Sequence, residues 1–193
     1  GDTVRYTHQI TNTGIGADTF VVSYHSEHGW SVSGPASVPL APGASTEIVV
    51  DVLVPPGSFN VNDVLTINAV SSVNSAISNF VQNTTVVATL SFELMNNNSG
   101  VLGPDGRIEY THMLVNTGTA PDTYAIQYVS SAGWNVSGPA NVSLNGGESQ
   151  LITVAIEAPL DLPVGSSDVT MVTATSGLDN SMQMSVSDST LNA

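Results

Sequence analysis

The side chains whose types and spacing could support metal or proton chemistry are four histidines and a scatter of acids. His25 and His28 form a His-x-x-His pair in SYHSEHGW with Glu27 beside them, a spacing that suits a transition metal when further ligands converge. The matching segment QYVSSAGW carries Val129 and Ala132 instead, so the pair reads as part of a solvated loop. His8 and His112 recur at one position, each flanked by a tyrosine two residues before and an aliphatic residue two after. They are expected as neutral imidazoles, buried and hydrogen-bonded to a neighbour.

Oxygen ligands for Ca²⁺ could come from Asp18 and Asp122, from Asn60, Asn62 and Asp63 in one loop, and from Asp161 and Asp168 in the matching one. No DxDxDG-type loop is present, so Ca²⁺ is a weak candidate and no other cofactor is expected. Asn12 and Asn116 in NTG, with Asp18 and Asp122 in DTF and DTY, bracket a connection between strands, where side-chain oxygens accept backbone N–H groups and pin a turn. A nucleophile with a base and an orienting acid, a pair of converging carboxylates and a phosphate-cradling glycine loop are not found in a form that one pocket could hold, so the chain reads as not an enzyme.

The elements that must position these residues are set by a duplication. Residues 5–14, RYTHQITNTG, lie over residues 109–118, EYTHMLVNTG, and GWSVSGPASV (29–38) lies over GWNVSGPANV (133–142). Roughly half the positions between Tyr6 and Val38 are identical to their counterparts, which marks a tandem repeat. Within each copy the apolar residues alternate. Val4, Tyr6, His8 and Ile10 share one face of a strand, as do Ile108, Tyr110, His112 and Leu114. Phe20, Val22 and Tyr24 repeat the pattern, as do Ile48, Val50, Val52 and Val54. Turns at LAPGAS and LNGGES separate the runs, and no segment sustains a helical period. The spacing predicts an all-β chain of two tandem immunoglobulin-like sandwiches of about seven strands each, at 1–84 and 85–193. Trp30 and Trp134, each following a glycine, are expected in the two cores.

The order NTG, DT(F/Y), GW, LAPG, a β-branched strand and a proline resembles the NPCBM-associated and CARDB-like (cell-adhesion-related) immunoglobulin-like repeats of bacterial and archaeal surface proteins. The resemblance runs from Val4 to about Ser71 and from Ile108 to about Ser176. It implies a sandwich that serves as spacer, adhesin segment or building block of an extracellular filament, sheath or surface layer. The alternative it leaves is an accessory or carbohydrate-binding module of a secreted enzyme or adhesin.

Composition narrows the partners. Sixteen Asp and Glu face only Arg5 and Arg107, and the net charge of −14 argues against nucleic acid and anionic lipid. No apolar run approaches the ~18 residues of a membrane span. Cysteine and lysine are absent, which excludes disulfides, thiolate metal sites and lysine isopeptide cross-links. The expected partners are copies of the chain itself or neighbouring repeats of a longer one, on the cell surface.

The run Val86, Ala88, Leu90, Phe92, Leu94 alternates without a glycine or proline break, which predicts that the last strand of the first copy feeds directly into the first strand of the second through a stiff junction. The first copy has no counterpart of that leading strand. Either the sequence is a window from a longer array or a neighbour supplies the strand.

Overall fold

The structure is a computed structural model that describes every residue from Gly1 to Ala193, and its regular elements are all strands. The chain divides into two compact units, Gly1–Val87 and Ala88–Ala193. The first contains β1 (Thr3–Thr11), β2 (Asp18–Ser26), β3 (Ser31–Ser33), β4 (Ser37–Leu40), β5 (Ser45–Leu53), β6 (Asn62–Ser71) and β7 (Ser78–Val86). They form two antiparallel sheets, in the orders β1-β5-β3 and β4-β2-β6-β7.

The second unit repeats this plan with β10 (Arg107–Asn116), β11 (Asp122–Ser130), β12 (Asn135–Ser137), β13 (Asn141–Leu144), β14 (Ser149–Glu157), β15 (Ser167–Ser176) and β16 (Gln183–Leu191). Two further strands precede them, β8 (Phe92–Met95) and β9 (Asn98–Val101). The sheet orders become β12-β14-β10-β8 and β13-β11-β15-β16-β9. β8 and β9 are halves of one leading strand that bends at Asn96, whose φ of 80° is left-handed. The first half pairs antiparallel with β10 and the second parallel with β16, so the strand closes the same side of both sheets. The count is therefore seven strands in the first unit and nine in the second, where about seven were expected in each.

The alternation dictates which side chains meet. Along β1 and β5, Tyr6 lies opposite Val50 and His8 opposite Ile48, and along β10 and β14 the same positions pair Tyr110 with Val154 and His112 with Ile152. Each inner face stacks on its partner sheet around a tryptophan. Trp30 packs with Val22, Leu40, Val50, Val52 and Leu65, and Trp134 with Tyr124, Leu144, Val154, Ile156 and Val172. The glycine before each tryptophan has φ of 68° or 73°, the left-handed turn that swings the indole inward.

The repeated Ser-Gly-Pro segment also has a packing cause. The hydroxyl of Tyr24 donates to the carbonyl of Pro35 at 2.7 Å, and that of Tyr128 to Pro139 at 2.8 Å. A Cβ on Gly138 would collide with the Tyr128 ring and its hydroxyl. Gly138→Ala is expected to destabilise the second unit by about 1–3 kcal/mol through overpacking, read by thermal unfolding, whereas Gly147→Ala meets no neighbouring atom and is limited to its backbone strain.

The junction differs from the sequence expectation. Residues 87–91 join no sheet, so no single strand runs from Val86 to Leu94. Val86 is exposed and Val87 packs against the first core, while Leu90, Phe92 and Leu94 are buried in the second unit. The backbone explains the break. The carbonyl of Thr89 accepts from the amides of Thr119 and Ala120, and that of Ser91 from Thr117 and Gly118, so this segment is bonded to a loop and not to a ladder. The first unit also ends later than residue 84, because β7 stays paired with β6 as far as Val86 opposite Asn62.

Candidate functional site

The same side chains stand in two different settings at the leading edge of each sandwich. In the second unit the edge is closed. The Phe92 ring lies on Tyr124 with centroids 4.7 Å apart and planes inclined by 42°. Leu94 is opposite Leu114, which is fully buried. His112 is fully buried too; its Nδ1 donates to the Asn96 carbonyl at 2.9 Å and its Nε2 lies 3.0 Å from Asp188 Oδ2. The other oxygen of Asp188 accepts from the Asn98 side chain at 3.0 Å. With an acceptor at each ring nitrogen, the protonated imidazolium is favoured. Burial works against that charge, but the hydrogen bond and charge of Asp188 and the carbonyls of Asn96 and Met95 outweigh it, holding the His112 pKa above its ordinary value. The sequence expectation of a neutral imidazole did not include this partner, because the acid that pairs with His112 is on β16, far along the chain.

In the first unit the corresponding groups are open. His8 Nε2 donates to Asn83 Oδ1 at 2.8 Å, and Tyr6 meets Thr85 at 2.7 Å as Tyr110 meets Thr190 at 3.0 Å. The outer edges of β1 and β7 carry no partner strand. Between them runs a groove of about 510 Å³ whose floor includes Ile10, Phe20, Ile48, Ile67 and Val81, with His8 at its wall. Val81, which lines it, is 41% exposed, whereas Val186, in the same place on β16, is 7% exposed.

The remaining sequence candidates are structural in their contacts. Asn12 and Asn116 are buried, and each donates to two carbonyls, of Gly16 and Leu40 or of Ala120 and Leu144, while its Oδ1 accepts from the amide of Gly14 or Gly118. Asp18 and Asp122 accept from Ser71 and Ser176 and from the amides of Thr19 and Thr123. Asn60 and Asp161 hold left-handed turn conformations, and no group of three His, Cys, Asp or Glu side chains converges. His25 is exposed on β2, and the His28 ring stands 6.1 Å from that of Trp30.

Asp63 and Asp168 show how one duplicated acid diverges. Asp168 accepts from Ser130, Ser131, Thr170 and the amide of Ala132. Burial raises its pKa, but those four donors together outweigh burial and leave it below the ordinary 3.8. In the first unit Leu65 replaces Thr170, and Asp63 Oδ2 is buried without a partner. Asp168→Ala strands four donors, among them the fully buried Thr170 hydroxyl, and is expected to cost the second unit about 3 kcal/mol, and Asp63→Ala clearly less. A carboxylate with a lowered pKa contributes stability that is present above its unfolded value and lost as pH falls through the folded one, so the melting temperature of the second unit should drop below about pH 4, and less steeply in Asp168→Asn.

No family model and no curated protein matches the chain. Among solved structures it is similar to a protein of unknown function from Porphyromonas gingivalis W83, at 13% identity over 98% of this chain and 91% of that one, with a TM-score of 0.42. PapD-like domain 7 of human CEP192 is 12% identical over 53% of this chain and 84% of the domain, with a TM-score of 0.40. The CsuC–CsuE chaperone–tip adhesion subunit complex of Acinetobacter baumannii Csu pili is 14% identical, covers 53% of this chain and has a TM-score of 0.39. This chain spans 57% of the length of that last match. Both units are immunoglobulin-like β-sandwiches, defined by their own strand orders.

Proposed function

We propose that the chain is a structural, protein-binding segment of an extracellular or cell-surface array: a filament, sheath, surface layer or adhesin stalk. The observation that carries this reading is the duplication of one sandwich plan within the chain, with a tryptophan in the core and the same tyrosine-to-proline hydrogen bond in each unit. The resemblance to CARDB-like surface repeats points the same way.

The burial pattern favours protein over carbohydrate as the partner. A sugar platform needs exposed rings, yet both tryptophans are buried, all five tyrosines are buried or half-buried, and Phe80 is the exposed aromatic residue. Assembly brings −14 of net charge together, so salt and Ca²⁺ should strengthen it by screening and bridging. Electron microscopy and sedimentation of the full parent protein test the reading. Ordered polymers that strengthen from low to moderate ionic strength are expected; dispersed single particles together with binding on a glycan array would overturn it.

A further inference from the structure

The exposed acids of the strands are confined to one sheet of each sandwich. In the second unit Glu93, Glu109 and Glu157 stand on the outer face of the β12-β14-β10-β8 sheet, with Arg107 among them. The opposite sheet holds three acids, Asp122, Asp168 and Asp188, and all three are buried on its inner face. Its outer face carries no charged side chain. Along β11 that face presents Thr123, Ala125, Gln127 and Val129, and the alternate residues of β15 and β16 continue it with Ser, Thr, Gln, Val, Met and Leu. Val129 lies directly opposite Met171, and Val169 is the next outward residue of β15, so these three exposed side chains form one apolar patch.

The first unit, taken by itself, is segregated in the same way. Glu47 and Asp51 are on the outer face of β5, where Asp51 pairs with Arg5, while Asp18 and Asp63 turn inward to Ser71 and Ser26. Along the outer faces of β2, β6 and β7 only Thr19 and Val64 recur in the second unit, as Thr123 and Val169. Every other outward position there differs between the copies, yet none in either copy is Asp, Glu, Lys or Arg. Depletion of charge at a surface whose individual side chains are free to differ is what the core of a protein interface shows.

The charge pattern also selects the partner. Each copy of the chain carries −14, so contact through the acidic sheets brings like charges together, whereas a basic partner would be drawn to those sheets and not to the neutral ones. The neutral face can meet another copy with no ion to desolvate. Part of its polar surface is already paired within the sheet, since the hydroxyls of Thr123 and Ser143, and of Thr173 and Ser185, are 2.8 Å apart. It presents no aromatic ring on which a sugar could stack. Resting on the reading of the chain as an array segment, we infer that the outer face of the β13-β11-β15-β16 sheet is the surface through which copies of this chain associate, neutral face on neutral face, around Val129, Val169 and Met171. Four strands ~4.8 Å apart and about nine residues long make a face of about 20 by 30 Å. That is smaller than the ~800 Å² per partner of a standard interface, so a single contact is weak and repetition along an array multiplies it.

The test is sedimentation of the 193-residue chain at concentrations from about 10 μM to about 1 mM, in low and in moderate salt. Reversible association that strengthens with salt is expected, weakened at least tenfold in Met171→Glu and in Val129→Glu. Both side chains are exposed, so both variants should melt with the unmodified chain, which is checked first. Thr153→Glu adds the same charge to the exposed outer face of β14 and should leave association within about twofold. Equal weakening by Thr153→Glu would make net charge alone responsible and would overturn the inference. So would a chain that stays monomeric at about 1 mM. Binding of a soluble neutral glucan that Met171→Glu abolishes, with the copies still apart, would assign the face to carbohydrate instead. Association through this face by a chain whose parent protein stays monodisperse would retain the face and remove the array. Ordered polymers of the parent that tolerate Met171→Glu would do the reverse.

Discussion

Trp134→Ala is expected to cost the second unit about 3–5 kcal/mol, enough to remove a large part of a small domain's stability. The indole is 5% exposed and packs at the centre of the second core, against Tyr124, Val154, Ile156 and Val172. Its backbone is fixed as well, because the Trp134 amide donates to Ser130 Oγ at 2.7 Å. The surrounding strands are tied to both sheets and cannot collapse into the space, so the lost transfer energy and a residual cavity add. Trp30→Ala should lie at the lower end of the same range, since the first core is already open along its groove and can relax there. Each unit holds one tryptophan, so in either variant the surviving indole reports the unaffected unit while calorimetry follows the other. Rapid N-bromosuccinimide modification of both indoles in the folded chain would contradict the assignment.

The strands and their facing were legible because a period of two is imposed by the pleat itself: a strand whose Tyr6, His8 and Ile10 face a core must show polar residues between them. The all-β, two-sandwich architecture followed from that pattern and the repeat. Three features escaped it. The alternation through Val86, Ala88 and Leu90 is continuous in the sequence, but alternation is silent about where a ladder stops. Hydrogen bonds from Thr89 and Ser91 to the 117–120 loop end it. The splitting of the leading strand between two sheets depends on one left-handed residue, Asn96, in a run of three asparagines that reads equally well as a turn. The acids considered as calcium ligands were ambiguous for a different reason. A carboxylate that accepts from Ser130, Ser131 and Thr170 carries the same sequence signal as one that binds a cation, since its partners come from other strands. The pairing of His112 was hidden in the same way, for Asp188 corresponds to Asn83 in the first copy and the contact exists only once the sheets stack.

That difference between copies supports a second large effect. Asp188→Ala leaves the His112 imidazole fully buried with one nitrogen unpartnered and frees the Asn98 side chain, and it is expected to cost the second unit about 3–5 kcal/mol, as removal of one member of a buried pair does. Asp188→Asn should recover most of this loss, because the first unit already uses the same geometry with His8 and Asn83 at 2.8 Å. The two variants separate charge from hydrogen bonding through pH. A histidine whose folded pKa is raised above its ordinary 6.5 contributes stability that is fully present below that value and is lost as pH rises through the folded one. The melting temperature of the second unit should therefore decline as pH rises above about 6.5 in the unmodified chain. In Asp188→Asn the decline should vanish, because the asparagine pairs with a neutral imidazole. Exchange of the β9 amides reports the same event locally, since Asn96 and Asn98 are the residues that the pair holds against the sandwich. If Asp188→Asn retained the full decline, the proton responsible would lie elsewhere, and the His112–Asp188 clasp would be reduced to a packing contact.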